Sequence, residues 1–492
     1  MRSRYGVGAL IVVAVLGLVG CTTEAPSSQR AVPGVESERV SAGEPNTISV
    51  DLGRNLGAFP FRPGGQLSAT PKSWRYGPST MASLARLKLT HVRVWLTFED
   101  AYDTATRTPK YSRWYDYLDT YHELSDVLIV VWQSNYDPLV TKGSFSADDM
   151  LAAQRDMLAH YKQRYPKIQY VEAENEPADI EAYYPKYRMM YRVVNAVSAM
   201  KLPGPELKIG GPTLDTFSER RIGQFLDRYK ADSDPGKRLD FVSYHQYLIS
   251  TDGEWHDDKD NPAIVATERR RLDQMLTRRG LVSRPVLVTE SGTFPALRES
   301  SPALGLDADL HIQAAGMAAM HYYYLNQRDV IPLHWTIDHP ENDRKDMFLD
   351  TDSGEPRPYY NAMRMQSMLP ETRYAATSDR LDRHGIGVYA LAAANPQKIA
   401  VMTWNYQWTR KATYVSQVKV ANVPPAFRDS NVLVERYKIG KDMHSGALRK
   451  VESFVASPRA DGSFQAPGVS LGPNELHLLV MTPTKDPVGP RP

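Results

Sequence analysis

The amino-acid sequence predicts a (β/α)8 TIM barrel with an accessory β-sandwich domain. Between residues 90 and 335, apolar segments typical of buried strands alternate with amphipathic segments typical of helices. This is the pattern of parallel βαβ units. Seven strand candidates lie in this region, and residues 61–67 supply an eighth, so both count and length fit a barrel. After residue 373, strand candidates follow one another without helices, as in a sandwich.

An open, doubly wound α/β sheet is the structural alternative to the barrel. Its usual nucleotide-binding form carries a glycine-rich turn, or a phosphate-binding Gly-Lys-Ser/Thr turn, directly after a strand. No strand candidate of this chain is followed by either motif. The sequence therefore excludes that common version of the open sheet and favours the barrel.

The predicted domain boundaries follow from these changes in pattern. An early strand candidate has no helix after it, so we expect it to pair with the sandwich, which then contains both ends of the fold. The predicted segments are a lipoprotein signal peptide with its lipobox at 1–21, a flexible tether at 22–44, a sandwich strand at 45–56, the catalytic barrel at 57–372, the β-sandwich at 373–485 and a tail at 486–492.

The N-terminal segment is predicted to be an export signal. Arg2 and Arg4 precede an apolar run over residues 6–20, which is too short for a membrane-spanning helix and fits the core of a signal peptide. Small residues precede Cys21, the single cysteine of the chain, as at the lipidation site of bacterial lipoproteins. We expect an exported protein that is lipid-anchored through Cys21 to a bacterial membrane. An ordinary cleaved signal or an uncleaved membrane anchor is the alternative.

Composition narrows the possible partners and cofactors. The net charge is +2 with 24% charged residues, which gives no argument for binding nucleic acid. No cluster of cysteine and histidine indicates zinc or iron, and the spacing of the acidic run at 338–352 fits no calcium loop. The sequence therefore predicts neither a cofactor nor a metal site, and no nucleic-acid partner.

Two strand candidates end in glutamates that form a candidate catalytic pair. Glu176 closes the segment Tyr-Val-Glu-Ala-Glu-Asn-Glu-Pro, and Glu290 ends the apolar segment Pro-Val-Leu-Val-Thr-Glu. A barrel brings the carboxyl ends of its strands to one rim, and glycoside hydrolysis needs two carboxyls across the scissile bond. We expect Glu176 to be the general acid/base, with a raised pKa, and Glu290 to be the nucleophile, about 5–5.5 Å away. Glu174 is the nearest alternative, because strand alternation places it on the same face as Glu176.

Polar and aromatic residues at neighbouring strand ends are candidates for binding the substrate. An amide such as that of Asn175 hydrogen-bonds a sugar hydroxyl without adding charge. Arg93, at the end of an earlier strand, is a candidate cation to keep the Glu290 carboxylate ionised, and His245 and Tyr247 are candidates to hydrogen-bond it. Tryptophan rings stack on sugar faces or simply pack in a core, and the sequence leaves this choice open, also for Trp404. The predicted substrate-binding residues are Arg93, Trp132, Asn175, His245, Tyr247 and Trp335.

Several of these segments resemble the retaining glycoside hydrolases of clan A. The segments 175–177 and 289–291 look like its catalytic strand ends. The segments 208–212, 240–247 and 348–360 are similar to segments of family 39, the β-xylosidase, α-L-iduronidase and exopolysaccharide-hydrolase family. The resemblance implies double displacement on an extracellular oligo- or polysaccharide. It assigns Glu176 as acid/base, Glu290 as nucleophile, and Asn175, His245 and Tyr247 as glycone contacts.

The chain departs from the family pattern directly after the nucleophile. Family 39 often has a tryptophan or asparagine there, whereas this chain has Ser291 and Gly292. Families 5, 30, 51 and 79 of the same clan therefore stay open. Two alternatives to a simple hydrolase also stay open. One is a catalytically silent, surface-anchored carbohydrate-binding lipoprotein. The other is a transglycosylase or an exopolysaccharide-biosynthesis-associated hydrolase on the same scaffold.

Overall fold

The computed structural model describes residues 43–70, 75–143, 145–248, 261–293, 310–337, 348–350, 352–407, 412–466 and 468–488. The predicted signal peptide with Cys21, nearly all of the predicted tether, and most of the acidic run at 338–352 lie outside these residues. Within the described part of the chain, no helix combines the length and the apolar character that crossing a membrane requires.

Strands and helices alternate first and give way to strands later in the chain. The strands are β1 (Glu44–Ala58), β2 (Gln66–Ser68), β3 (His91–Thr97), β4 (Tyr102–Asp103), β5 (Thr108–Pro109), β6 (Val127–Gln133), β7 (Ile168–Ala173), β8 (Lys208–Leu214), β9 (Phe241–Tyr247), β10 (Val286–Gly292), β11 (Val330–Trp335), β12 (Thr372–Ser378), β13 (Gly387–Asn395), β14 (Lys398–Tyr406), β15 (Tyr414–Ala421), β16 (Asn431–Ile439), β17 (Arg449–Ala456), β18 (Phe464–Gln465), β19 (Val469–Leu471) and β20 (Leu476–Thr484). The helices are α1 (Pro78–Ala85), α2 (Phe98–Ala101), α3 (Tyr115–Leu124), α4 (Ala147–Arg164), α5 (Ile180–Ala199), α6 (Glu219–Ala231), α7 (Val265–Arg278), α8 (Leu310–Tyr324), α9 (Pro358–Ser367) and α10 (Pro425–Arg428).

Eight parallel strands form a closed barrel in the order β10-β11-β2-β3-β6-β7-β8-β9. The short strand β2 completes the ring, because Leu67 pairs with both His334 of β11 and Val92 of β3. The predicted TIM barrel is confirmed, and the eighth strand lies at the end of the region from which it was expected. In barrel order, β7 is the fourth strand and β10 the seventh.

Alternation along the strands divides their side chains between two apolar layers. Leu128 and Val130 of β6 face the surrounding helices, whereas Ile129 joins Phe241, Leu287 and Leu333 in a separate small cluster. This cluster draws on β6, β9, β10 and β11, so it fills the inside of the barrel, as is usual for this fold. Interior positions further along the same strands are polar, and they build the site described below.

The remaining long strands form one mixed sheet in the order β17-β16-β20-β14-β13-β12-β1-β15-β18, with β19 also paired to β15. The first strand, β1, lies between β12, to which it is antiparallel, and β15, to which it is parallel. The accessory β-domain is confirmed. Its strands share one continuous hydrogen-bonded sheet, where two separate sheets were expected.

Aromatic residues connect the barrel to the accessory sheet. Helix α8 of the barrel contacts β14, and Tyr322 of this helix meets Trp404 edge-to-face with 6.2 Å between ring centroids. Trp404 also stacks on Tyr389, at 4.8 Å and 6° between the rings. Because Trp404 is 1% exposed, it is a packing residue of this interface and has no face open to a sugar.

Candidate active site

The chain leaves the fourth barrel strand in an unusual backbone conformation. Strand β7 ends at Ala173, and the next residues are held from both sides: the Glu174 amide donates to the Trp132 carbonyl, and the Glu176 amide to the Thr213 carbonyl, both at 2.9 Å. Glu174 and Glu176 have φ values of 98° and 46°, in the left-handed region that costs a non-glycine residue about 1–3 kcal/mol. Strand alternation stops here, so the expectation that Glu174 and Glu176 share a face is wrong.

A β-bulge turns the second glutamate into the barrel. Val288 pairs with Tyr244 and Glu290 with His245, so one residue of β10, Thr289, has no register partner on β9. Without the bulge, alternation would place Thr289 inside and Glu290 outside, because Leu287 lies in the interior cluster. With the bulge, the hydroxyl of Thr289 and the carboxyl of Glu290 both bond groups inside the barrel.

Glu176 and Glu290 meet around His245, as the sequence predicted from their strand ends. Nδ1 of His245 lies 2.8 Å from Oε1 of Glu176 and 3.5 Å from Oε2 of Glu290. One carboxyl oxygen of each glutamate lies within 4.8 Å of the other. The two side chains differ in exposure, at 40% for Glu176 and 6% for Glu290. One carboxyl is therefore open to solvent, while the other is enclosed.

Arg93 and Tyr247 fix both oxygens of the enclosed carboxylate. Nη1 of Arg93 donates to Oε1 of Glu290 and the hydroxyl of Tyr247 donates to Oε2, each at 2.7 Å. Arg93 also donates from Nη2 to the side-chain oxygen of Asn175 at 2.7 Å, which links the two catalytic strand ends. The Arg93 side chain is 0% exposed, which contradicts a direct contact with substrate, whereas the expected pairing of its cation with the Glu290 carboxylate is present. Arg93 positions Glu290 and Asn175.

Glu172 is a functional-site residue that the sequence analysis missed. Its carboxylate is fully buried and accepts from Nε of Arg93 at 2.7 Å and from the hydroxyls of Thr289 and Thr213 at 3.0 and 3.3 Å. Burial alone would lower the pKa of Arg93, but Glu172 and Glu290 outweigh it and raise that pKa. Strand alternation could have found it, because Glu172 and Arg93 both occupy positions that face the interior of the barrel. A charge buried there requires a partner of opposite charge.

The predicted raised pKa of Glu176 is contradicted. Burial acts to raise this pKa, but the hydrogen bond and charge of His245, followed by the charges of Arg93 and Arg221, lower it below the ordinary value of 4.5. The physical reason is the short contact with His245, which stabilises the carboxylate in the sugar-free site. His245 is itself completely buried, so it acts on Glu176 and Glu290, and its expected direct contact with a sugar is wrong.

The tryptophans predicted to bind substrate differ in their exposure to solvent. Trp132 is 1% exposed and belongs to the large apolar core, so of the two roles that the sequence left open it has the packing role, and it is not a substrate contact. Trp335 is partly exposed and stands 6.3 Å from Trp95 between ring centroids. Trp95, which the sequence analysis passed over, is also partly exposed, and the Arg93 guanidinium lies 5.0 Å from its ring centroid. Trp95 follows Arg93 by two residues on β3, and this parity would have placed it inside the barrel.

One group of potential metal ligands occurs among the described residues, and it consists of the two candidate catalytic glutamates and His245. Glu176, His245 and Glu290 each offer one ligand atom within 4.8 Å of the others. The guanidinium of Arg93 lies 2.7 Å from Glu290 and is buried with it. A cation in this position opposes the binding of a second, divalent cation. The local charge therefore favours a working carboxyl pair over a metal centre.

Comparison with known proteins supports the fold. No protein-family model matches the chain, and no curated protein matches it by sequence. Among solved structures, it is similar to a glucosidase from Croceicoccus marinus, with a TM-score of 0.66, 15% identity, and coverage of 89% of this chain and 99% of that one. It is also similar to a GH39 enzyme from Xanthomonas axonopodis pv. citri, with a TM-score of 0.63, 15% identity, and coverage of 90% and 98%.

A third solved structure of the same kind is a monomeric β-xylosidase from Caulobacter crescentus CB15, with a TM-score of 0.60, 13% identity, and coverage of 89% and 100%. These likenesses confirm the expected resemblance to family 39 and other clan A enzymes in three dimensions. At such identities they concern the fold, and the argument for chemistry depends on the residues of this chain.

Proposed function

We propose that the protein is a retaining glycoside hydrolase that cleaves glycosidic bonds in an extracellular oligo- or polysaccharide. The observation that carries the proposal is the carboxyl pair, since an oxygen of Glu176 and one of Glu290 lie within 4.8 Å of each other. Retaining glycosidases hold their two carboxyls about 5–5.5 Å apart, whereas inverting ones leave about 6.5–9.5 Å for a water molecule. The short separation supports the retaining mechanism.

The differing environments of the two carboxyls support different roles. Glu290 is enclosed, with both oxygens held by Arg93 and Tyr247, as suits a nucleophile that must remain a carboxylate and point at the anomeric carbon. Glu176 is 40% exposed, which lets it contact a leaving group and exchange its proton with solvent. We assign Glu290 as nucleophile and Glu176 as general acid/base.

The proposed reaction has two displacements. In the first, an oxygen of Glu290 forms an ester bond with the anomeric carbon while Glu176 gives its proton to the departing glycosidic oxygen. In the second, Glu176 takes a proton from water, the resulting hydroxyl attacks the anomeric carbon, and the Glu290 carboxylate leaves. Glu176 must be protonated at the start, so the hydrogen bond from His245 has to weaken or reverse when the sugar binds.

Kinetics of two alanine variants on activated aryl glycosides and polysaccharides test the roles. Glu290→Ala is expected to abolish turnover. Glu176→Ala is expected to lose about 10²–10⁴-fold on substrates with poor leaving groups, which need the acid, and much less on dinitrophenyl glycosides. Azide should rescue Glu176→Ala with retention and Glu290→Ala with inversion. Glu181→Gln, on the exposed surface of α5, is the matched control.

The product anomer, followed by NMR, decides the mechanism. Retention in the wild type agrees with the assignment, whereas an initial product of inverted configuration contradicts it. Sugar binding that survives in a wild-type protein without turnover on any substrate would favour the carbohydrate-binding alternative. Transfer to an acceptor sugar in place of water would favour the transglycosylase alternative, which uses the same residues.

We propose in addition that the protein is exported and lipid-anchored through Cys21, on the sequence pattern alone. Growth of the host with radiolabelled palmitate and separation of membrane from soluble fractions check this. We expect label and membrane association in the wild type and neither in Cys21→Ser. A Cys21→Ser variant that stays in the membrane fraction would support an uncleaved anchor instead.

A further inference from the structure

A cavity lies beside the pair of carboxyls formed by Glu176 and Glu290. It has a volume of about 410 Å³ and is formed at the carboxyl ends of β3, β6 and β7 together with the start of α5. Asn175 belongs to its lining, and the side-chain oxygen of Asn175 accepts from the same Arg93 that holds Glu290. A sugar unit in this cavity would therefore adjoin the unit being cleaved.

The walls of the cavity contain polar groups that lack partners. Oε1 of Glu99 accepts the backbone N–H of Asn135 at 2.7 Å, but Oε2 of Glu99 is buried with no hydrogen-bond partner. Tyr183, another residue of the lining, is 1% exposed and has a buried hydroxyl with no partner, which lies against Gly211 of β8. Unpaired buried polar groups cost free energy that a ligand with suitable hydrogen-bonding groups recovers.

The charge of the cavity is negative. Its described lining contains the carboxylates of Glu99, Glu174 and Asp179 and one cation, Lys186. Nζ of Lys186 lies 2.9 Å from Oε2 of Glu174, so its charge is already compensated. Burial, with smaller contributions from the charges of Asp100 and Glu174, raises the pKa of Glu99. A further carboxylate brought by a ligand would meet repulsion without a free cation to offset it.

We propose that this cavity is a second sugar subsite that accepts a sugar unit carrying hydroxyl or amine donors and rejects a uronate. Glu99 and Glu174 are the residues that determine this specificity: Oε2 of Glu99 accepts a sugar donor, and Glu174 keeps Lys186 from pairing with a sugar carboxylate. The inference rests on the proposed glycosidase function and narrows its substrate class to neutral or amine-bearing glycans.

Binding to a catalytically disabled protein tests the subsite without turnover. The Glu290→Gln variant is titrated calorimetrically with three probe series: xylo-, cello- and manno-oligosaccharides, chitosan oligosaccharides, and glucuronate or mannuronate oligosaccharides. The neutral or amine-bearing probes that bind are expected to bind at least about tenfold more tightly than uronate probes, since one unfavourable charge contact costs about 1.4 kcal/mol or more.

Two further substitutions in the disabled background test the named residues. Glu174→Gln releases the ammonium of Lys186, and Glu99→Gln removes a repelling charge, so each should reduce the discrimination against uronate probes several-fold. Glu181 lies on the same helix as Lys186 but outside the cavity lining. Glu181→Gln is therefore the control, and it should leave the ratio of neutral-probe to uronate-probe affinity unchanged. Thermal unfolding of each variant identifies any that fails to fold, and the other substitution then decides.

The outcomes separate this inference from the proposed function. If the wild type cleaves no glycan and the disabled protein binds none, the proposed function fails and the subsite with it. If neutral glycans are cleaved but uronate probes bind equally well, only the subsite is overturned. The same holds if neither Glu99→Gln nor Glu174→Gln changes the ratio. In either case the cavity is a solvated space, and the ion pair of Glu174 and Lys186 only holds α5 against the end of β7.

Discussion

Arg93 is the residue on which the geometry of the site depends most. It is completely buried, and its guanidinium nitrogens donate to Glu172, Glu290 and Asn175, all at 2.7 Å. A buried arginine is tolerated because two carboxylates compensate its charge, and removing the arginine leaves both carboxylates buried without a cation, which costs about 3–5 kcal/mol or more. The same network aligns two strand ends from distant parts of the sequence, so stability and catalytic geometry have one source.

His245 is predicted to set the pH range of activity. Its hydrogen bond to Glu176 helps lower the pKa of that carboxyl below 4.5. The free enzyme needs Glu176 protonated to act as an acid, so kcat/KM falls as the pH rises through this pKa. His245→Ala removes the donor and raises the pKa of Glu176. The alkaline limb of the kcat/KM profile is therefore expected to move to higher pH.

A matched variant separates the hydrogen bond from the loss of the ring. The side-chain amide of asparagine lies close to the position of Nδ1 of histidine, so His245→Asn retains a donor to Glu176 and should retain the acidic alkaline limb. The measurement is kcat/KM against pH for wild type and both variants on one aryl glycoside. An unmoved limb in His245→Ala, or equal movement in both variants, would contradict the role given to this hydrogen bond.

At the scale of elements, sequence periodicity predicted the strands and their order, and it failed where the backbone departs from regular geometry. The near-continuous apolar run of β6 reflects burial on both faces, which is a local property that a sequence displays. The bulge at Thr289 and the left-handed residues Glu174 and Glu176 depend on neighbouring strands in the closed barrel. They decide which way the carboxyls point, and alternation alone gave the wrong face for Glu174.

The difference between local properties of a strand and properties that depend on tertiary contacts also explains which site residues could be predicted. A glutamate at the end of a strand in a predicted barrel is visible in the sequence, so Glu176 and Glu290 were found. Exposure is a tertiary property, and this is why the sequence does not decide between sugar stacking and core packing for Trp132, which the core covers. Glu172 was overlooked because its function comes from Arg93, a partner 79 residues away in the sequence. A search for paired charges at interior strand positions would have found both.

The first described strand connects the accessory sheet to the barrel. Strand β1 is an interior strand of the accessory sheet, pairs with β12 and β15, and leads into the barrel at β2. Barrel and sheet also meet through the aromatic contact of Tyr322 with Trp404. These connections join the two parts by packing as well as by the chain. We therefore expect the accessory sheet and the barrel to unfold together.

Ile48 on β1 offers a test of this coupling. It is 0% exposed in the apolar core of the accessory sheet, so Ile48→Ala is expected to lower the free energy of unfolding by about 2–5 kcal/mol. Leu56→Ala is the control on the same strand, because Leu56 is 46% exposed and should change stability by about 0.5 kcal/mol or less. Urea unfolding is followed both by proteolytic cleavage within the accessory sheet, detected by mass spectrometry, and by residual glycosidase activity. If the two parts are coupled, Ile48→Ala moves both midpoints together. An activity midpoint that stays in place while the proteolysis midpoint falls would show that the barrel stands without the sheet.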